Sequence, residues 1–171
     1  MTVIRPLTEG DAEATGRMHL AAWHEAYDSL LPETFWAGFT EERRIEAWRR
    51  TATDPWPGQR SVVAERDGRI VGVAASGPTR THLPHARPPA TDREVYSIYV
   101  LASEQGTGTG ARLLDAVLPP GTAGELWVFE ANPRALAFYT KHGFSPDGER
   151  YVFGPDLGGQ AEIRMVRGAR Q

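Results

Sequence analysis

The chain has 171 residues, a formal net charge of −3, a pI near 6.0 and no cysteine. Its hydrophobic fraction of 40% and charged fraction of 24% are ordinary for a globular protein, so we expect a single domain over residues 1–171. The mild negative charge excludes a broad basic surface for nucleic acid, and the lack of cysteine excludes disulfides, a thiolate nucleophile and a zinc–thiolate site.

The N-terminal segment predicts a short strand followed by a long helix. Thr2–Arg5 is β-like, and the strand ends at Pro6. Thr8–Asp11 resembles a capping box with acidic residues in the first helical turn, and the helix should run to about Asp28. Its apolar stripe at helical spacing consists of Ala14, Met18, Ala21, Ala22 and Ala26.

A second helix and a hairpin follow. The pattern predicts a helix over residues 41–52, with Thr40 as its N-cap. Two strands at residues 61–65 and 69–75 are joined through Asp67-Gly68, a strong signal for a hairpin turn.

The C-terminal half alternates strands and helices after a long proline-containing loop at residues 77–92. Its predicted elements are strands at 95–100 and 125–129, helices at 109–117 and 133–143, and a closing hairpin of 149–153 and 161–166. Asn132 at the N-cap and Pro133 at the first helical position mark the last helix. This order predicts an α/β (α+β) fold with a mixed, mostly antiparallel central sheet of six to seven strands and about four helices.

The segment between the strand at 95–100 and the helix at 109–117 is rich in glycine. Gly106, Gly108 and Gly110 stand at alternate positions, which lets the backbone turn sharply and approach a ligand closely. The first N–H groups of the helix point into this turn, an arrangement that binds phosphate. A glycine-rich connector without a ligand is the alternative, since short glycine motifs often arise by chance.

Two nucleotide-binding interpretations of the turn meet objections. A P-loop needs Lys followed by Ser or Thr after the last glycine, and here Ala111-Arg112 follows. Gly106-x-Gly108-x-x-Ala111 does match a dinucleotide fingerprint, which keeps a nucleotide-dependent oxidoreductase as an alternative. That fingerprint usually opens an alternating parallel βαβ array, whereas here a hairpin precedes it and only about 60 residues follow.

A third interpretation uses more of the chain. Gln105-x-x-Gly108-x-Gly110, between a strand and a helix, resembles the pyrophosphate-binding motif of the GNAT superfamily of acyl-CoA-dependent N-acetyltransferases. The stretch Asn132–Phe144 resembles the following helix of that family, with its Asn…Ala…Phe-Tyr…Gly-Phe pattern. The two motifs come in the order and at the spacing of the family, and the resemblance covers the strand order and residues 94–144.

The resemblance implies the GNAT fold and an acetyl-CoA-dependent N-acetyltransferase that needs no metal. The acceptor amine would attack acetyl-CoA directly in a ternary complex, and an N–H of the opening strand would polarise the thioester carbonyl. The residues implied in binding the co-substrate are Ile98, Tyr99, Val100, Gln105, Gly106, Thr107, Gly108, Thr109, Gly110, Ala111, Asn132 and Phe138. For Asn132, capping of its helix is an equally good explanation.

Two residues carry the implied proton transfers. An amine with a pKa near 10.4 is uncharged in roughly one molecule in a thousand at neutral pH, so a general base assists. Glu94, at the start of the opening strand, matches a glutamate that histone-acetylating members carry; the alternative is a salt-bridged carboxylate. Tyr139 matches the general acid of the family, which protonates the departing thiolate; the alternative is packing in the core.

The sequence says less about the acceptor amine and about binding partners. The resemblance implies an acceptor pocket at Trp23, Tyr27 and Tyr96 for a small-molecule or peptide amine, and plain aromatic packing is the alternative. His82-x-x-His85 has metal-like spacing without a third ligand, so we expect no metal site there. A catalytically silent acyl-CoA-binding module is the rival to an enzyme, and small members of the family are often homodimers.

We also expect no nucleic-acid partner and no membrane attachment. No run approaches the roughly 20 apolar residues of a membrane-spanning helix, and residues 1–6 lack the apolar region of a signal peptide. A cytoplasmic protein is therefore the expectation.

Overall fold

The computed structural model describes residues 1–81 and 87–169 and contains, within them, one seven-stranded sheet and five α-helices. The strands are β1 (Thr2–Pro6), β2 (Arg60–Arg66), β3 (Arg69–Pro78), β4 (Arg93–Val100), β5 (Gly124–Phe129), β6 (Ser145–Val152) and β7 (Ala161–Arg167). The helices are α1 (Ala12–Tyr27), α2 (Glu33–Gly38), α3 (Glu41–Thr53), α4 (Thr109–Val117) and α5 (Pro133–Lys141).

The sheet has the strand order β1-β2-β3-β4-β5-β7-β6. Every neighbouring pair is antiparallel except β4 and β5, which are parallel and pair at one position, Glu94 opposite Glu125. The predicted mixed, mostly antiparallel sheet of six to seven strands is confirmed. The single parallel pair matters most for the site, because β4 and β5 separate beyond it.

Helix α2 is an addition to the four predicted helices. Its six residues follow Pro32, and the short segment carries two aromatic residues that propagate a helix poorly. Tertiary contacts hold it in place, since Phe35 stacks on Trp23 with ring centroids 5.6 Å apart. A segment of only six residues shows no helical periodicity in the sequence, so this helix could not be predicted from it.

The two faces of the sheet are covered by different helices, as the alternation of side chains in β2 and β3 requires. α1 and α3 pack on one face, where the buried cluster consists of Met18, Ala22, Trp48, Val63, Val73 and Ala75. α4 packs on the other face, where the cluster consists of Val62, Ala64, Val71, Ala74, Leu113 and Val117. A third cluster joins α4 and α5 to β4, β5 and β7.

The predicted stripe on α1 is only partly correct. Ala14 and Ala21 are exposed, and the buried positions are Ala12, Thr15, Gly16, Met18, His19, Ala22 and Tyr27. Alanine occurs on buried and exposed helix faces alike, so it predicts the buried face poorly. The close contact between α1 and α3 is made through a glycine. A Cβ on Gly16 would lie 2.6 Å from the backbone nitrogen of Ile45 on α3, so the two helices cross with no room for a side chain.

We expect Gly16→Val to lower the free energy of unfolding by about 2–3 kcal/mol, because the added atoms would push α3 away from α1. Ala21→Val on the exposed face of the same helix is the control and should cost only about 0.5 kcal/mol of helix propensity. Urea denaturation measures both changes. Equal losses in the two variants would contradict a close crossing at Gly16.

Candidate functional site

A cavity of about 450 Å³ opens where β4 and β5 separate. The pairing of β4 with β3 skips Tyr96, so β4 carries a β-bulge near the point of separation. A bulge increases the local twist of a strand, which helps to turn β4 away from β5. β5 instead pairs along its whole length with β7, so within the described chain the β5-facing edge of β4 beyond Glu94 has no strand partner.

The glycine turn forms one part of the cavity wall. Gly106 and Gly108 have φ angles of +77° and +84°, a left-handed conformation that favours glycine. A Cβ on Gly110 would lie 3.3 Å from the ring of Phe138, so this glycine lets α4 and α5 approach each other. The turn is braced by the Thr107 hydroxyl, which donates to the Glu104 carbonyl at 2.7 Å. The first N–H groups of α4 therefore face a preformed turn.

Most of the residues predicted for the site line this one cavity. They are Trp23, Tyr27, Tyr96, Ile98, Tyr99, Val100, Gln105, Gly106, Gly108, Gly110, Ala111, Asn132, Phe138 and Tyr139. Of the predicted site residues, which all lie in the described part of the chain, Thr107, Thr109 and Glu94 do not line it. Thr109 is buried and its hydroxyl lies 2.9 Å from that of Thr107, so both threonines support the turn from behind.

Tyr139 combines packing with access to the cavity. Its side chain is 9% exposed and belongs to the buried cluster that includes Val95, Leu114 and Phe144. Burial raises the pKa of its phenol well above the usual range, so the hydroxyl keeps its proton at neutral pH. The ring of Tyr139 therefore packs in the core, as the alternative interpretation expected, and the residue also brings a protonated hydroxyl to the cavity wall.

Glu94 is held by other residues of the chain. Its carboxylate is buried, accepts a hydrogen bond from the Arg80 backbone N–H at 2.9 Å and forms a close ion pair with the Arg80 guanidinium. Glu125, its partner across the bridge, accepts from the N–H groups of Ala90 and Thr91 at 2.7 and 2.8 Å. The two carboxylates thus fasten both described ends of the long loop that precedes β4. The role of Glu94 as a base stays a prediction, and its carboxylate is already paired.

Glu94→Gln should lower the free energy of unfolding by about 1–3 kcal/mol, because it leaves the partly buried Arg80 without its anionic partner. Glu65→Gln removes a partner from the more exposed pair with Arg5 and should cost less than about 1 kcal/mol. Chemical denaturation at neutral pH measures both. A Glu94 variant as stable as the wild type would contradict the anchoring role.

An aromatic wall comes from α1. Trp23 stacks on Phe39 with centroids 4.4 Å apart, and Tyr27 meets Trp23 edge-on at 5.0 Å. The Tyr27 hydroxyl accepts a hydrogen bond from Asn132 at 3.1 Å, while the Asn132 amide oxygen accepts the Ala135 N–H at 3.0 Å. The capping interpretation of Asn132 is thereby confirmed, and the residue also ties α5 to α1.

Tyr96 lines the cavity, and its hydroxyl is already hydrogen-bonded. The hydroxyl donates to the Pro78 carbonyl at 2.7 Å, and the Arg80 guanidinium lies 4.4 Å from the ring centre.

Tyr99, also on β4, is supported by the buried His19, which stacks on its ring at 4.2 Å and accepts the Trp48 indole N–H at 2.9 Å. Burial lowers the pKa of His19 to about 3, so it is a neutral prop for β4.

Glu162, on β7, lines the cavity, although no motif in the sequence singles it out. It sits opposite Phe129 of β5 and Tyr151 of β6 in the sheet. Burial raises the pKa of its carboxyl to about 7, an effect that Arg80 opposes and Glu94 reinforces. In the sequence, the one sign of its importance is that Glu162 is a charged residue within a predicted strand. That sign indicates a site residue only when the strand register is known.

Basic side chains of α5 were also overlooked. Arg134, Lys141 and His142 line the cavity, and the Arg134 guanidinium donates to the side-chain oxygen of Gln105 next to the glycine turn. Arg134 thus adds positive charge beside the N–H groups of the turn, which suits a phosphate-bearing ligand.

Two negative findings concern the described residues. Over residues 1–81 and 87–169, no group of three or more histidine, aspartate or glutamate side chains is arranged to hold a metal ion, and His82 and His85 lie outside that range. In the same part of the chain, no helix has both the length and the apolar character needed to cross a membrane.

The family model described as the acetyltransferase (GNAT) family matches residues 23–144 of the chain. An uncharacterized N-acetyltransferase of Mycobacterium tuberculosis (strain ATCC 25618 / H37Rv) is 36% identical over 104 residues, which cover 57% of this chain and 59% of that protein. A protein of the same description from Mycobacterium bovis (strain ATCC BAA-935 / AF2122/97) matches to the same extent. The match therefore spans less than two thirds of the length of these relatives.

Solved structures share the fold over almost the whole chain. The PaiA N-acetyltransferase of Thermoplasma acidophilum, in complex with coenzyme A, has a TM-score of 0.67 at 16% identity and covers 98% of this chain and 99% of its own. A ribosomal-protein-alanine N-acetyltransferase of Brucella melitensis has a TM-score of 0.63 at 21% identity, with 96% and 98% covered. At such identities the likeness shows the fold alone.

Proposed function

Because the chain belongs to the acetyltransferase (GNAT) family, we propose that it transfers an acetyl group from acetyl-CoA to a primary amine of a small molecule or peptide. The observation that carries the proposal is the cavity between β4 and β5, whose wall includes the glycine turn, the open edge of β4 and the hydroxyl-bearing Tyr139.

The residues around the cavity suit coenzyme A. Gly106 and Gly108 hold a left-handed turn, and a Cβ added to either would meet no described atom within 4 Å, so the backbone there is open to a bulky anionic group. The first N–H groups of α4 and the side chain of Arg134 would hold the diphosphate. The open edge of β4 from Ile98 to Val100 would hydrogen-bond an extended amide-containing arm as a further strand would.

The chain's own groups can then assist acyl transfer. Bound acetyl-CoA supplies the acetyl group and a thiolate leaving group. An N–H on the open edge of β4 would polarise the thioester carbonyl, and Tyr139 would donate its proton to the departing sulfur. A base takes a proton from the acceptor ammonium. Glu104 lines the cavity but is paired with Arg66 at 2.9 Å, so Glu94 and Glu162 are the carboxylates to compare. Direct attack by the amine is favoured over an acyl-enzyme because the chain has no cysteine.

A screen of amine classes with acetyl-CoA, followed by the release of free thiol, tests the proposal. Thiol release that requires both the protein and a particular amine is the expected result. A protein that binds coenzyme A but releases no thiol with any amine class would instead be the silent acyl-CoA-binding module. Binding of NAD in preference to coenzyme A would favour the nucleotide-dependent oxidoreductase.

A further inference from the structure

We propose that Glu162, rather than Glu94, receives the proton of the acceptor ammonium, and that the acceptor is a primary amine on an uncharged aromatic or aliphatic body. The inference rests on the proposed acetyl transfer and adds the proton acceptor and the substrate class. It comes from the contrast between two acidic side chains near β4, of which only Glu162 lines the cavity.

The two carboxylates differ in what already occupies them. Glu94 is fully engaged by the backbone and the guanidinium of Arg80. Burial and the charges of Arg80 and Glu94 set the pKa of Glu162. Within the described part of the chain, no residue donates a hydrogen bond to its carboxylate. Glu162 is half-buried, and a carboxylate that faces a cavity without hydrogen-bond partners has capacity for a ligand that donates protons.

The groups that act on Glu162 come from several elements. Arg80, before β4, favours its charged form, and Glu94, at the start of β4, disfavours it. The phenols of Tyr27 on α1 and Tyr99 on β4 lie close enough to respond to its charge, and burial raises the pKa of both. With the pKa of Glu162 raised to about 7, its carboxylate is a stronger base than an exposed glutamate and is still substantially ionised at neutral pH.

The surroundings of Glu162 also limit the acceptor. The rings of Trp23, Tyr27 and Phe129 line the same cavity and offer apolar surface together with π-faces that attract a cation. Arg134 and Lys141 of α5 line the cavity, Arg134 is bonded to Gln105 beside the glycine turn, and Arg80 is paired with Glu94. The charges of Arg134 and Arg44 act on Tyr27 and Tyr99, whereas the cation that acts on Glu162 itself is Arg80, which Glu94 already engages. An acceptor with a carboxylate beside its amine would therefore bring a second negative charge close to Glu162, where the acting cation is already paired.

Protons and electron pairs balance in this reaction. The ammonium gives one proton to the Glu162 carboxylate, and the lone pair so freed forms the C–N bond to the acetyl carbon as the C–S bond breaks. The departing sulfur takes the Tyr139 proton, and the amine nitrogen, on becoming an amide, loses its second proton to the phenolate. Glu162 returns its proton to solvent, so one acetylation converts ammonium and thioester to amide, thiol and one free proton.

The first test is Glu162→Gln, which keeps the size of the side chain but removes the base. We expect kcat/KM to fall about 100-fold while the Kd for coenzyme A changes less than about twofold. In the wild type, kcat/KM should rise with pH through about 7 as Glu162 ionises, and the variant should lose this inflection. Glu94→Gln should keep an inflection but move it to lower pH, because it removes a negative charge that disfavours the ionised form of Glu162. Glu130→Gln, which changes an exposed carboxylate outside the cavity, should behave as the wild type.

A stability measurement gives an independent reading of the same carboxyl. Since folding raises the pKa of Glu162, its contribution to stability is greatest below the unfolded pKa and is lost as the pH rises to about 7. The Tm of Glu162→Gln relative to the wild type should therefore increase by roughly 6–12 °C between pH 4.5 and pH 8. A constant difference in Tm would overturn the assigned titration.

The second test compares 2-phenylethylamine with phenylalanine, which differ by the α-carboxylate. We expect kcat/KM to be at least about 100-fold higher for 2-phenylethylamine. Equal values, or a preference for the amino acid, would overturn the substrate class. Turnover that is unaffected by Glu162→Gln would overturn the proton acceptor alone, whereas absence of turnover by the wild type with every amine would overturn the proposed function together with this inference.

Discussion

Tyr139→Phe is expected to lower kcat on the order of 1,000-fold while the Kd for coenzyme A changes less than about twofold. The substitution removes one oxygen atom and keeps the ring, which packs against Phe138 and Phe144 with centroids 5.2 and 5.8 Å away. The loss therefore falls on the protonation of the departing thiolate and not on the shape of the cavity. Steady-state kinetics gives kcat, and calorimetry gives the affinity for coenzyme A.

A second substitution at the same position separates the two roles of Tyr139. Tyr139→Ala removes the ring from a buried cluster and should cost about 3–5 kcal/mol of unfolding free energy, whereas Tyr139→Phe should cost less than about 1 kcal/mol. Thermal and urea denaturation measure the difference. If Tyr139→Phe kept the wild-type kcat, only the packing role would survive.

Local signals in the sequence account for the elements that were predicted well. Thr40 caps α3, Asp67 and Gly68 form the tight turn between β2 and β3, and Asn132 caps α5. Each of these positions depends on side-chain and backbone preferences within a few residues, so a single sequence reveals them. The glycine turn is also a local signal, because the positive φ angles at Gly106 and Gly108 favour glycine at those two positions.

The parts of the site that were missed depend on contacts between distant segments. Glu162 reaches the cavity because β7 pairs with β5 and places it opposite Phe129, a register that hydrophobic patterning alone does not determine. Glu94 resembles a catalytic glutamate by its position, but a partner 14 residues earlier, Arg80, engages its carboxylate. Motif spacing therefore predicted the cavity wall better than it predicted the charges within it.

The bridge between β4 and β5 links these observations. The strands separate directly after Glu94 and Glu125, whose carboxylates hold the preceding loop, and the gap that results is the cavity. Glu94, at that bridge, holds the loop, whereas Glu162, on β7, lines the cavity. The same geometry leaves the β4 edge open for an extended ligand.

Gly108→Glu is expected to weaken the binding of coenzyme A roughly 10- to 150-fold. Gly108 has a φ angle of +84°, so a side chain there costs about 1–2 kcal/mol of backbone strain. A Cβ added at this position would meet no described atom within 4 Å, so the carboxylate would extend into the space around the turn, where it would repel the diphosphate. Repulsion of this kind weakens binding by roughly 1.5–3 kcal/mol, the value of a hydrogen bond to a charged group, whereas the strain is the same with and without coenzyme A and lowers stability instead.

The matched control is Gly159→Glu, because Gly159 has a φ angle of +68°, an equally open Cβ position and no place in the cavity wall. It introduces comparable strain and the same charge, so it should lower stability to a similar degree and leave the Kd for coenzyme A within about twofold of the wild type. Gly108→Ala adds the strain without the charge, so it should likewise lower stability without weakening the binding of coenzyme A. Calorimetry gives the three affinities, and normal binding by Gly108→Glu would show that the glycine turn does not hold the diphosphate.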